Sequence, residues 1–150
     1  MTIFREMTAA DMPQVFAVRV ATPENSITLE RLAEMDVTPS SLAETLNGLA
    51  KGWVCEVDDR IVGFSMADKE EGEVTVLALL PEYENRGIGK KLLQRASDWL
   101  FAAGHKEIYL ITTPNPDFRA YGFYQALGWR PTGEIIDGDE KFIMPKPPGY

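Results

Sequence analysis

The chain has 150 residues, 45% hydrophobic and 25% charged, enough for one globular domain that needs no metal or disulfide staples. Lys and Arg number 15 against 23 Asp and Glu, a net charge of −8, which argues against general nucleic-acid binding and leaves room for a cationic substrate or a local positive patch. One cysteine, Cys55, and one histidine, His105, exclude a disulfide framework and argue against a His-based metal site or a Ser-His-Asp triad. No run approaches the roughly 20 apolar residues of a membrane span. Met1 to Glu6 carries no basic start followed by an apolar run. The expectation is therefore a cytoplasmic protein with no membrane partner.

In chain order, Thr2 to Met7 reads as a first strand. Thr8-Ala9-Ala10-Asp11 then resembles a capping box that opens a helix to about Val20. Residues 21 to 37 are polar and acidic and give no clear pattern. Thr38-Pro39 starts a second predicted helix that ends near Lys51-Gly52. Trp53 to Val57 and Ile61 to Ala67 form a hairpin about Asp58-Asp59-Arg60, and Glu73 to Leu80 is a third strand stopped by Pro81. Gly87 to Ala103 is the clearest helix, with Ile88, Leu92, Leu93, Ala96, Leu100 and Ala103 on one face and Gly104 ending it. Ile108 to Thr112 is an apolar strand. Asp117 is placed to cap a short helix to Leu127, with Gly128 as its stop. Trp129 to Ile135 and Lys141 to Met144 close a hairpin, and a Pro-rich tail follows from about Pro145. The order β-α-α-β-β-β-α-β-α-β-β is a single mixed α/β domain over residues 1–150.

The informative segment runs from Val74 to Leu93. A strand ends at proline, a short loop follows, and Gly87 and Gly89 open a long amphipathic helix. The first amides of a helix have no intrahelical partner and lie at the positive end of its dipole, which suits a phosphate. Between Asn85 and Ser97 stand Arg86, Lys90, Lys91 and Arg95 and no acid. Taken alone, Gly-x-Gly is equally compatible with an ordinary loop beside a solvated helix face. The dinucleotide fingerprint fails at Leu92, and no P-loop pattern is present.

Glu84-Asn85-Arg86-Gly87-Ile88-Gly89, at the start of this helix, resembles the Gln/Arg-x-x-Gly-x-Gly/Ala acetyl-CoA signature of the GNAT superfamily of N-acetyltransferases. It departs from that pattern at Glu84. Tyr124-Gln125-Ala126-Leu127-Gly128-Trp129 resembles the family's Tyr-x-x-x-Gly-Phe/Trp helix end, and the element order matches along the whole chain. The resemblance implies a central sheet whose splayed strands form a cleft for acetyl-CoA, with no metal. The pantetheine arm would lie along the backbone of Leu77, Leu79 and Leu80. The pyrophosphate would sit on the amides of Arg86, Gly87, Ile88, Gly89, Lys90 and Lys91. Asn115, in the loop before the last helix, is a further cofactor candidate, and Asp117 stands where relatives place that helix's cap.

The activity implied is transfer of an acetyl group to an amine, directly within a ternary complex. Tyr124 occupies the place of the family's proton donor to the CoA thiolate. The oxyanion donor would be a backbone N–H near Leu79. Glu73, fourteen residues before Gly87, matches the position at which histone-acetylating relatives carry a catalytic glutamate, and it also reads as a solvated turn residue beside Glu70 and Glu71. Cys55 reads as a buried structural thiol and His105 as a surface residue. Acceptor pockets in the family are built from the first helices and the last hairpin. Here those regions hold Glu24, Glu30, Glu34, Asp36, Asp137, Asp139 and Glu140. Acidic walls suit a small cationic amine or a lysine or N-terminal amine. Homodimers are common among relatives. A non-catalytic acyl-CoA-binding module and a purely structural domain are the rival readings.

Overall fold

The structure, a computed structural model, describes residues 1–21, 46, 50–112, 114–117 and 119–148. Strand β1 (Thr2–Glu6) leads through a 3-10 turn (Ala9–Asp11) into α1 (Met12–Val20). Three strands follow: β2 (Ala50–Val57), β3 (Arg60–Asp68) and β4 (Glu73–Leu79). A second 3-10 turn (Pro81–Tyr83) precedes α2 (Ile88–Ala102). Then come β5 (Glu107–Thr112), α3 (Arg119–Ala126), β6 (Arg130–Ile136) and β7 (Asp139–Pro145). The seven strands form one sheet in the order β1-β2-β3-β4-β5-β7-β6, antiparallel throughout except at β4–β5.

The local chemistry explains most of these elements. Asp11 accepts the Thr8 N–H at 2.8 Å, closing the capping box, while Arg5 forks onto both Asp11 oxygens at 2.8 and 2.9 Å and reaches Glu56 at 2.7 Å. That cluster pins the entry to α1 against β1 and β2. Asp58 and Asp59 both take positive φ, as do Asp137 and Gly138, so the β2–β3 and β6–β7 hairpins turn on two-residue loops whose twist matches their strands. Ile61 to Ala67 of β3 is buried without alternation, so both faces of the sheet are covered there. On one face α2 packs through Ile88, Leu92, Leu93, Ala96, Leu100 and Phe101. Ser65 Oγ donates to the Leu92 carbonyl at 2.9 Å and fixes that contact. Phe101, rather than the predicted Ala103, completes the buried stripe; Ala103 is exposed beside Gly104.

The predicted second helix lies outside the described residues except for Leu46, in a turn, and its end, which is corrected. Ala50 to Gly52 belong to β2 and pair with Asp68 to Met66. Gly52 accepts the Met7 N–H at 2.8 Å, and the Met7 side chain lies over it, 2.8 Å from where a Cβ would stand. The strand is longer than its β-branched run because neighbours on both sides recruit it. The short helix predicted to follow a cap at Asp117 is described from Arg119 to Ala126, and residue 118 lies outside the described residues. No described helix is long and apolar enough to cross a membrane.

Strands β4 and β5 share a single ladder pair, Glu73 with Tyr109, and diverge from there. The edge of β4 beyond Glu73 is left facing a notch.

Candidate active site

The loop from β4 to α2 ends on two residues in the left-handed region, Asn85 (φ 64°) and the helix cap Gly87 (φ 81°). A Cβ at Gly87 would meet nothing within 4 Å, so the glycine serves the backbone turn rather than crowding. The Lys91 N–H closes the first helical turn on the Gly87 carbonyl at 3.2 Å. The amides of Ile88, Gly89 and Lys90 precede any i−4 acceptor and point out of the helix end. At Gly89 an added Cβ would stand 3.5 Å from the Phe123 ring, an ordinary contact. No protein atom therefore demands glycine at 89.

These amides open onto a cleft between α2 and α3, lined by Leu77, Leu79, Gly89, Lys90, Arg119 and Phe123, with Tyr124 at its inner end. Glu84 is ion-paired with Arg119, whose other terminal nitrogen lies 3.2 Å from Asn85 Oδ1. The negative charge at the top of the loop is thus met by a guanidinium that itself lines the cleft.

Tyr124 and Leu77 also line a second cavity, which fills the notch between β4 and β5 together with Arg19, Glu73, Thr112 and Asp139. The two cavities therefore share Leu77 and Tyr124 as lining residues. Its ring is packed edge-on against Phe123, Trp129 and Phe142, and burial raises the phenol's pKa well above its ordinary value. Glu73 is half-buried beneath the notch. Burial raises its carboxyl, opposed by a 3.4 Å hydrogen bond from the Tyr109 hydroxyl and reinforced by Asp68 and Glu71. Strand β4 carries a bulge at Thr75, which has no partner between the Val74–Ala67 and Val76–Met66 pairs. Beyond the bulge the Leu80 N–H turns to the Val62 carbonyl at 2.8 Å, so strand alternation directs the Leu77 and Leu79 N–H groups away from β3, toward the notch.

A model of the acetyltransferase (GNAT) family matches residues 21–129. The chain belongs to this family. It is 38% identical over 90 residues to the uncharacterized protein YxbD of Bacillus subtilis (strain 168), covering 60% of this chain and 56% of that one. It is 39% identical over 61 residues to the amino-acid acetyltransferase of Pseudomonas syringae pv. syringae, covering 40% of this chain and 14% of that protein. The chain thus spans about half of the first relative's length and a small part of the second's. In fold it is similar to PaiA N-acetyltransferase from Thermoplasma acidophilum in complex with coenzyme A. That match has a TM-score of 0.80 at 18% identity and covers 97% of this chain and 99% of that one.

Against the acetyltransferase signature, the side chains sort into two groups. Lys90 lines the cleft, as do Leu77, Leu79, Gly87 and Gly89. Arg86 instead stacks over Tyr83 at 5.0 Å and Lys91 over Phe4 at 5.5 Å, both on the side toward β1, and the Ile88 side chain is core. Their side chains therefore stay out of the cleft, and Lys91, whose N–H is bonded to the Gly87 carbonyl, is corrected as an amide donor to it. Leu80 is corrected: its N–H is taken by Val62, its carbonyl accepts the Tyr83 N–H at 3.0 Å, and its side chain packs toward α1, so it offers the cleft nothing. Asn115 Oδ1 accepts the Asp117 N–H at 2.9 Å, which shapes the loop, and the residue is not among those lining the cleft. Arg119 and Phe123 were not foreseen. Their one signal was i, i+4 spacing on a short helix, with a lone basic residue at its start.

Cys55 is buried as expected, and burial raises its thiol. His105 is not simply a surface residue. Its ring covers Gly72, and its Nε2 meets the Lys69 carbonyl, tying the end of α2 to the turn before Glu73. Of the acids expected around the acceptor, Asp139 lines the notch, Asp137 is exposed in its turn, and Glu140 is buried and accepts the Gly133 N–H at 2.9 Å. Glu24, Glu30, Glu34 and Asp36 lie outside the described residues. Among the described residues, no three His, Cys, Asp or Glu side chains are grouped as a metal ion would need.

Proposed function

We propose that the protein transfers an acetyl group from acetyl-CoA to a primary amine, directly and within a ternary complex. The observation that carries this reading is that Leu77 and Tyr124 line both cavities, the one that takes in Gly87, Gly89 and Lys90 at the start of α2 and the one that takes in Glu73. The pyrophosphate fits the amides of Ile88, Gly89 and Lys90, with the Lys90 side chain adding charge. The amide-rich pantetheine arm adds to the open edge of β4 as a short extra strand. Its thioester then lies at the notch, where the Leu77 and Leu79 N–H groups point and suit a developing oxyanion.

Proton bookkeeping follows from the two titratable groups. The acceptor ammonium gives a proton to the Glu73 carboxylate. The freed amine forms the new N–C bond, the C–S bond breaks, the departing thiolate takes the Tyr124 phenol proton, and the second proton of the attacking nitrogen restores that phenol as the amide forms. Burial keeps that phenol protonated at pH 7, so it is available as a donor when charge develops on the sulfur. No enzyme nucleophile is required, and Cys55, wholly buried in β2, lines neither cavity.

The test is thiol release from acetyl-CoA across a panel of amines. Turnover with one amine class, reduced about 100-fold by Tyr124→Phe with CoA affinity unchanged, supports the reading. CoA binding with no turnover on any amine would favour a non-catalytic binding module.

A further inference from the structure

Both ends of α2 reach toward the site. Its first turn opens onto the cofactor cleft, and its last is followed by Gly104 (φ 106°) and His105, whose N–H returns to the Leu100 carbonyl at 3.4 Å. From there the imidazole reaches the β3–β4 turn. Its Nε2 meets the Lys69 carbonyl, and because a carbonyl only accepts, Nε2 carries the hydrogen. The ring covers Gly72 so closely that a Cβ there would stand 2.8 Å from Nδ1, and Gly72 takes a left-handed backbone (φ 71°) that glycine permits. The same glycine donates its N–H to the Asp68 carbonyl at 2.9 Å and accepts the Tyr109 N–H of β5 at 3.0 Å. The next residue is Glu73, which forms the single ladder pair between β4 and β5 and accepts the Tyr109 hydroxyl at 3.4 Å. His105 thus grips the peptide from which Glu73 starts. The turn has reason to need a grip: Asp68, Glu70, Glu71 and Glu73 place four carboxylates within six residues, and like charges repel.

We infer that His105 is a positioning residue for acetyl transfer, which through Lys69 and Gly72 fixes the Glu73 carboxylate at the notch. This rests on Glu73 acting as the base. The imidazole lines neither cavity, so it acts through Glu73. Around that carboxylate stand Asp68 and Glu71 of its own turn, Tyr109 of β5 with Lys141 of β7 over its ring, and Arg19 and Asp139 on the notch wall. Burial is the largest influence on it, so a carboxylate released from the grip gains water and becomes a weaker base.

The experiment follows kcat and kcat/KM against pH with acetyl-CoA and the panel amine of highest turnover, for the full chain and three variants. His105→Ala removes both contacts, His105→Gln keeps a donor for Lys69, and His105→Phe keeps a ring over Gly72. In His105→Ala, kcat at the pH optimum should fall about ten-fold with CoA affinity nearly unchanged, because small misplacements of a reacting group are costly. The acid limb should move to lower pH, and Gln and Phe should each recover part of both effects. The Tyr109 amide should exchange at least ten-fold faster in His105→Ala while the amides of β2 and β3 keep their protection, a local change that a general loss of stability would not give. Should His105→Ala fail to fold, the Gln and Phe variants carry the same readings at smaller amplitude. A limb moved to higher pH would mean that the imidazole acts through its charge, and it overturns the inference. A limb that Glu73→Gln abolishes but the His105 variants leave in place removes the inference alone. An acid limb that survives Glu73→Gln removes the base assignment and the positioning role with it.

Discussion

A carboxylate works as a base near neutral pH only if its surroundings hold the proton more tightly than water does. Glu73 meets that condition through burial first and through Asp68 and Glu71 second, while the Tyr109 hydroxyl pulls the other way. The sign follows directly. The base must be ionised to act, so kcat/KM falls as pH drops through the raised pKa of Glu73, and this acid limb lies above the ordinary glutamate value of about 4.3. Tyr109→Phe removes the hydrogen bond that favours the ionised form and should move the limb to higher pH. Glu73→Gln should lower kcat/KM about 100-fold at pH 7 and abolish the limb. A pH–rate profile of the three proteins checks this. An acid limb unchanged in Glu73→Gln would assign proton removal to water and backbone groups.

At the scale of the element, the N-terminus of α2 makes a prediction that separates packing from binding. Gly89 has an ordinary helical backbone, and only the Phe123 ring lies near where its Cβ would be. Gly89→Ala should therefore fold with equal or slightly greater stability and keep CoA affinity within a few-fold, since the methyl is small. Gly89→Leu should fold as well but raise the CoA dissociation constant more than ten-fold, because its side chain projects into the cleft beside Phe123. Calorimetric titration with far-UV circular dichroism measures both. Full affinity in Gly89→Leu would place the pyrophosphate elsewhere. This helix was legible in the sequence because its apolar residues recur every three to four positions and a glycine in the left-handed region precedes it. The two hairpin turns were legible because Asp and Gly tolerate positive φ. The charges around Gly87 were visible, but their directions were not. Residues 90 and 91 point about 100° apart around a helix, so one lines the cleft and the other covers Phe4. Arg119 stayed hidden because its partner, Glu84, stands 35 positions away. The strand at Ala50–Gly52 is set by Met7 and β3, which no local propensity reports.

At the scale of the whole molecule, the splay divides the sheet into two parts that share one ladder pair, Glu73 with Tyr109, while α2 reaches across to β5. On one side, α2 packs on β2, β3 and β4; on the other, α3 leans on β6. The cofactor cleft takes its walls from both parts, Gly87, Gly89 and Lys90 from the first and Arg119, Phe123 and Tyr124 from the second. A ligand filling it replaces, for the native state alone, the strand contacts that the splay removes. At one hundred times its dissociation constant, such a ligand stabilises by about 2.7 kcal/mol. In a domain of 150 residues that corresponds to a rise in Tm of roughly 5–10 °C. The phosphates alone reach only the α2 and α3 helix ends, whereas the pantetheine arm also engages the edge of β4. CoA should accordingly slow amide exchange at Leu77 and Leu79, and 3′-phosphoadenosine diphosphate at equal saturation should not. Thermal scans and hydrogen exchange with the two ligands distinguish these contributions. Identical protection of β4 by both would mean that the arm does not lie along the strand edge and that the notch is held together by α2 and α3 alone.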